Sequence, residues 1–166
     1  MIGKTTLSAL RTLLLLGQQD RQACWSPRRL AEVLGESPTY LAKVTRHLVR
    51  AGILEAEKGV KGGVRLARLP SDITLLNVVE ACQGYIVGDY CRSIPNEAAF
   101  CNFHRASHEL HVAITEVLDR WTLSMLIEKP YASGVLLGGH NCFMSQGCTF
   151  PLPGSPPKLT QLGTDS

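Results

Sequence analysis

The residues of this chain best suited to chemistry are its six cysteines and five histidines. The cysteines are Cys24, Cys82, Cys91, Cys101, Cys142 and Cys148. No stretch resembles an export signal: the apolar run at 13–16 is short, follows Arg11 and has no small-residue cleavage site after it. Reduced thiols are therefore expected, with metal or redox chemistry ahead of a disulfide framework. Thiolate and imidazole together suit zinc or an iron–sulfur group. Cys24 and Cys82 sit in apolar or helical stretches, where a free cysteine behaves as a small hydrophobe.

The second chemical signature is charge. Residues 26–68 hold nine Lys and Arg against four Glu, a local excess of five, whereas the whole chain carries a net charge of only +3. Such a concentration matches phosphate binding. No phosphate loop, nucleophile elbow or paired histidine–glutamate metal motif is present, so an enzyme is not expected. No apolar run approaches the roughly 18 residues of a membrane span, and a cytoplasmic protein with no membrane partner and no small-molecule substrate is expected.

Positioning these groups requires elements. Leu7, Leu10 and Leu14 recur at helical spacing and predict a first helix over 2–18. Ser26-Pro27 and Ser37-Pro38 each give a helix start, serine as cap and proline at the first helical position, predicting helices over 27–34 and 38–51. Gly35 between them fits a C-terminal cap. Two short helices joined by a glycine-containing turn form a helix-turn-helix. After Gly52, Ile53 and Leu54 open a strand. Gly59, Gly62 and Gly63 turn it, and Val64 and Leu66 alternate with Arg65 on the return. This hairpin is a wing, carrying Lys58, Lys61, Arg65 and Arg68. A further helix over 75–82 follows a polar Ser71-Asp72 start. One long helix is predicted over 99–127, with Leu110, Ile114, Val117, Leu118 and Trp121 as its apolar face.

The fold class expected is mainly α with a small β-hairpin wing: a winged helix-turn-helix followed by a long helix. The expected divisions are 1–84 for DNA binding, 85–128 for a cysteine-containing loop and the long helix, and 129–166 for a flexible tail. That last part holds five of the nine prolines and six of the fifteen glycines. In a winged helix the second helix of the motif enters the major groove by its N-terminal residues. Thr39, Tyr40, Lys43 and His47 are the candidates there, with Tyr40 equally able to pack beneath the helix. Ser26, Arg28 and Ser37 at the two helix starts, and Lys58 and Lys61 on the wing, complete the candidate DNA contacts. Arg46 and Arg50 are expected to meet phosphate or solvent. A winged helix used for protein contacts is the alternative.

Three blocks carry a family resemblance: SPTYLAKVTRHLVRAGIL at 37–54, KGVKGGVRLAR at 58–68 and ITLLNVVEACQG at 73–84. In this order and spacing they resemble the IscR/NsrR/RirA-type, or Rrf-type, bacterial regulators, over about residues 1–125. The resemblance implies a homodimeric transcription regulator that binds double-stranded DNA, with 85–128 as its cysteine-containing sensor loop and dimerisation helix. Many members hold an iron–sulfur cluster before the long helix. Cys91, Cys101 and His104 match that position, the Cys101-x-x-His104 spacing resembling the end of the IscR-type pattern. The middle cysteine of the family pattern is absent here. Lys58 stands where the family usually has arginine, and Val64 where an aromatic is common. A [2Fe–2S] cluster sensing iron–sulfur, redox or nitric oxide status is implied, with His108, Cys82 or a tail cysteine as a fourth ligand. His140, Cys142 and Cys148 are either exposed thiols or part of a metal site. The alternative is a cluster-free regulator controlled by thiol chemistry, zinc, a small ligand or a partner protein.

Overall fold

The computed structural model describes residues 2–59, 62–86 and 101–129. Helix α1, Lys4–Gly17, lies at the centre and touches the other elements of the N-terminal half. Its apolar residues Leu10, Leu13, Leu14, Leu15 and Leu16 are all buried, and so are Thr6, Ser8 and Thr12. A helix surrounded on nearly all sides can carry four consecutive leucines without exposing any. Thr12 meets its own need for a partner by donating to the Ser8 carbonyl at 2.8 Å.

Helices α2, Pro27–Leu34, and α3, Pro38–Arg50, form the helix-turn-helix. Ser26 Oγ accepts from the Arg29 amide and Ser37 Oγ from the Tyr40 amide, each at 3.2 Å. Gly35 ends α2 at φ 66°, a left-handed conformation that favours glycine. Leu30 and Leu34 of α2 meet Leu41, Val44 and Leu48 of α3 in the core, all essentially inaccessible to solvent.

The wing pairs β1, Leu54–Glu57, antiparallel with β2, Gly63–Leu66, placing Leu54 opposite Leu66 and Glu55 opposite Arg65. Trp25 adds a third, one-residue strand: it exchanges two backbone hydrogen bonds with Val64 at 3.0 and 2.9 Å. Two close approaches, one to Trp25 and one within the hairpin turn, explain the glycine pair. A Cβ on Gly63 would lie 2.6 Å from the Trp25 backbone, and one on Gly62 would lie 2.3 Å from the Glu57 carbonyl oxygen.

Two expectations are corrected, one by a local cap and one by tertiary contacts. The helix after the wing, α4, Leu75–Gln83, is capped by Thr74 in a reciprocal box with Asn77, not by Ser71-Asp72, which lie in a 3-10 turn, Pro70–Asp72. The single helix expected over 99–127 is two: α5, Asn102–Arg120, and α6, Leu123–Glu128. Around the break the Leu75 amide donates to the Trp121 carbonyl and the Leu123 amide to the Ile73 carbonyl, both at 2.8 Å. Helix α6 thereby returns to α1, and Ile127 packs so close to Gly17 that a Cβ there would lie 2.4 Å from Ile127 Cδ1. Helix α5 keeps Leu118 buried, while Phe103, Leu110, Val117 and Trp121 remain exposed.

Candidate nucleic-acid interface

The capped N-terminus of α3 sets the orientation of its outer face. Thr39, Lys43, Arg46 and Arg50 are exposed along it, and His47 is half-buried. Ser26 and Ser37 use their hydroxyls as caps, at helix starts where outward-pointing amides suit phosphate. Tyr40 instead packs against the core, with the Lys4 ammonium 5.6 Å from its ring centroid. Lys58 is exposed at the wing, and Lys61 lies outside the described residues. Between α3 and the wing runs a groove of about 410 Å³ with Arg46 on one side and Gly62 and Gly63 on the other.

The structure divides the basic residues into free and engaged. Arg65 donates to Glu55 across the strand pair, and its Nη1 lies 2.9 Å from Glu57 Oε1. The hydrogen bond to Glu55 raises the pKa of this guanidinium. Arg28 pairs with Glu32 at 3.3 Å on the open surface of α2. The Arg29 guanidinium stacks on Trp25 at 3.9 Å from the ring centroid. Among the described residues Lys43, Arg46, Arg50 and Lys58 make no ion pair. The charge concentration seen in the sequence thus narrows to α3 and the wing edge.

The thiols are dispersed. Cys24 donates to Glu57 Oε2 at 3.3 Å beside the wing; desolvation first, then this carboxylate, push its pKa up. Burial pushes Cys82 up as well, partly offset by the Thr6 hydroxyl. Cys101 is exposed at the N-cap of α5, whereas His104, one turn later, is buried at 2% exposure. Cys91, His140, Cys142 and Cys148 lie outside the described residues. Among the described residues no three His, Cys, Asp or Glu side chains converge as a metal site. Sequence reasoning did not find the Arg46 groove or the placement of Lys4; both arise from packing between elements distant in sequence.

Comparison with known proteins follows this geometry. A family model described as "Rrf2: Iron-dependent Transcriptional regulator" matches residues 2–129. The HTH-type transcriptional regulator NsrR of Geobacillus kaustophilus is 32% identical over 130 residues, covering 72% of this chain and 84% of that one. The putative HTH-type transcriptional regulator YwgB of Bacillus subtilis is 32% identical over 118 residues, covering 69% and 71%. Among solved structures, CymR (YrzC), the global cysteine regulator of B. subtilis, superposes with a TM-score of 0.62 at 23% identity, covering 77% of this chain and 96% of that one. T. potens IscR gives a TM-score of 0.62 at 23% identity over 82% and 96%. These two structures share the fold.

Proposed function

The chain belongs to the Rrf2 family of transcriptional regulators, and from that premise we propose that it is a homodimeric, sequence-specific DNA-binding regulator with a sensor at 91–104. The observation that carries the DNA-binding part is the capped helix α3, which exposes Thr39, Lys43 and Arg46 next to a wing whose Lys58 makes no ion pair among the described residues. In this reading Thr39, Lys43 and His47 face base edges. Arg46, Arg50, Lys58 and Lys61 face phosphates, and the starts of α2 and α3, with Ser26, Arg28 and Ser37, fix the register on the backbone. The dimer forms through the exposed apolar residues of α5, while α6 stays with the DNA-binding part.

The test is selection of duplexes from a random library by the full chain, followed by anisotropy titration over a salt series. A recovered motif with two-fold symmetry, and affinity that falls linearly on a log–log plot against salt, is the expected result. Absence of salt-dependent duplex binding would overturn the reading.

For the sensor, Cys91, Cys101 and His104 would hold an iron–sulfur cluster, probed against [2Fe–2S]. The donor types fit: a thiol open to solvent at the start of α5 and an imidazole one helical turn on. When bound, such a group supplies a redox- and nitric-oxide-sensitive centre. The chain's own part is mechanical, because Cys101 stands at the N-cap position of the helix whose other face would form the dimer. A change at that cap would be felt in the spacing of the two reading heads. The burial of His104 favours a second reading, a cluster-free regulator in which the exposed Cys101 thiol responds directly. Visible absorption with iron and sulfide assays on anaerobically purified protein separates the two. A band lost in Cys101→Ala supports the cluster. Colourless protein whose DNA affinity changes on oxidation, and does not change in Cys101→Ala, supports the thiol.

A further inference from the structure

A cleft of about 390 Å³ lies between the end of α3, the root of the wing and the last turns of α4. Its size falls within the range of small-ligand sites. Arg68 lines it from the residue stretch after β2, and Glu80 from α4; Ile53 and Ala81 give it apolar walls. Tyr85, 81% exposed, stands at its edge. Opposite charges therefore line one cleft, yet no ion pair joins them, and neither makes one elsewhere among the described residues. Arg68 Nη1 donates to the Asp72 carbonyl at 3.4 Å, which anchors the guanidinium, while its Nε is buried without a partner.

We propose that this cleft binds a small zwitterion of the α-amino-acid class, Arg68 receiving the carboxylate, Glu80 the ammonium, and Ile53 and Ala81 the side chain. A cation and an anion lining one cavity match a ligand that carries an ammonium and a carboxylate on the same carbon, and a planar guanidinium suits a carboxylate. The consequence is regulatory. Ile53 follows the DNA-reading helix, Arg68 follows the wing, and α4 leads toward the 91–104 segment, so a ligand bridging Arg68 and Glu80 ties the reading head to the helix behind it. DNA and ligand would then change each other's affinity by the same factor.

The test uses the full chain without DNA, by thermal shift with each common L-α-amino acid and then calorimetry on the best binder. At least one is expected to raise Tm, while its methyl ester and its N-acetyl derivative do not. Arg68→Gln and Glu80→Gln, checked as folded by circular dichroism, are each expected to weaken binding roughly tenfold or more. Ala81→Leu, which narrows the cleft and leaves both charges, is expected to weaken it too. No shift with any amino acid, or unchanged affinity in both charge variants, would overturn the proposal. So would binding that survives loss of the ligand's carboxylate, as expected if a peptide segment were the true occupant. Because DNA is absent from this measurement, failure here leaves the regulator reading standing, and a chain that binds the ligand but no duplex would sink only the latter.

Discussion

Glu36 shows how much one side chain can hold. It sits in the helix-turn-helix turn, receives the Ser8 hydroxyl at 2.7 Å and lies 3.3 Å from Arg11 Nη1, with both charged side chains only 12% exposed. Arg11 also donates to the Leu34 carbonyl at 3.1 Å. Glu36→Ala removes the carboxylate that balances a buried guanidinium, so a loss of about 3–5 kcal/mol is expected in urea denaturation. Glu36→Gln keeps an acceptor for Ser8 and should cost less. Cys82 gives a pH dependence with a definite sign. Its folded pKa is raised by burial above the ordinary thiol value, so the neutral thiol favours the folded state. That contribution is complete below the unfolded pKa and is lost as pH rises through the folded one. Wild type is therefore expected to lose stability more steeply than Cys82→Ala above pH ~9, with parallel midpoints below it. At the proposed DNA face, Thr39→Ala and Lys43→Ala are expected to relax sequence preference. Lys58→Ala should weaken all duplexes alike and lower the salt slope by about one. Uniform loss in all three variants would refute this division of roles.

At the scale of elements, the wing depends on a close approach. Gly63→Ala would press a methyl into the Trp25 backbone at 2.6 Å. It is expected to cost about 1–3 kcal/mol and to disturb Trp25 fluorescence, with a fall in duplex affinity because the wing shifts off its third strand. Unaltered stability would mean that Trp25 does not hold the wing. The glycine pair and both Ser-Pro caps were legible in the sequence because capping and turn formation depend on residues a few positions apart. What was not legible depends on distant pairing. The break at Trp121 needs Ile73 and Thr74 across from it. The neutralisation of Arg65 needs the strand register that sets it against Glu55. Tyr40 reads equally as a base contact or a core residue until α1 brings Lys4 over its ring. The metal candidates were legible only as residue types: spacing put Cys101 and His104 on one helical turn, but the burial of one and the exposure of the other are set by tertiary packing.

For the whole molecule, the proposed dimer raises the question of how two reading heads would be held at a fixed separation. One chain presents one α3, and a motif with two-fold symmetry needs a second copy related by a dyad. Helix α5 offers the surface for it: Leu110 is 62% exposed and Val117 46%, seven positions apart and so two turns along one face. Because neither side chain supports the core, Leu110→Asp combined with Val117→Asp should leave thermal stability of the head nearly unchanged. It places like charges across any symmetric contact, so sedimentation is expected to report the mass of a single chain. Binding to a two-half-site duplex should then fall to that of an isolated half-site, because linking two heads raises the effective concentration of the second without any new contact. A double variant that stays dimeric would move the interface away from this face of α5. A monomer with undiminished affinity for the full operator would show that one head, with its wing, reads the DNA alone.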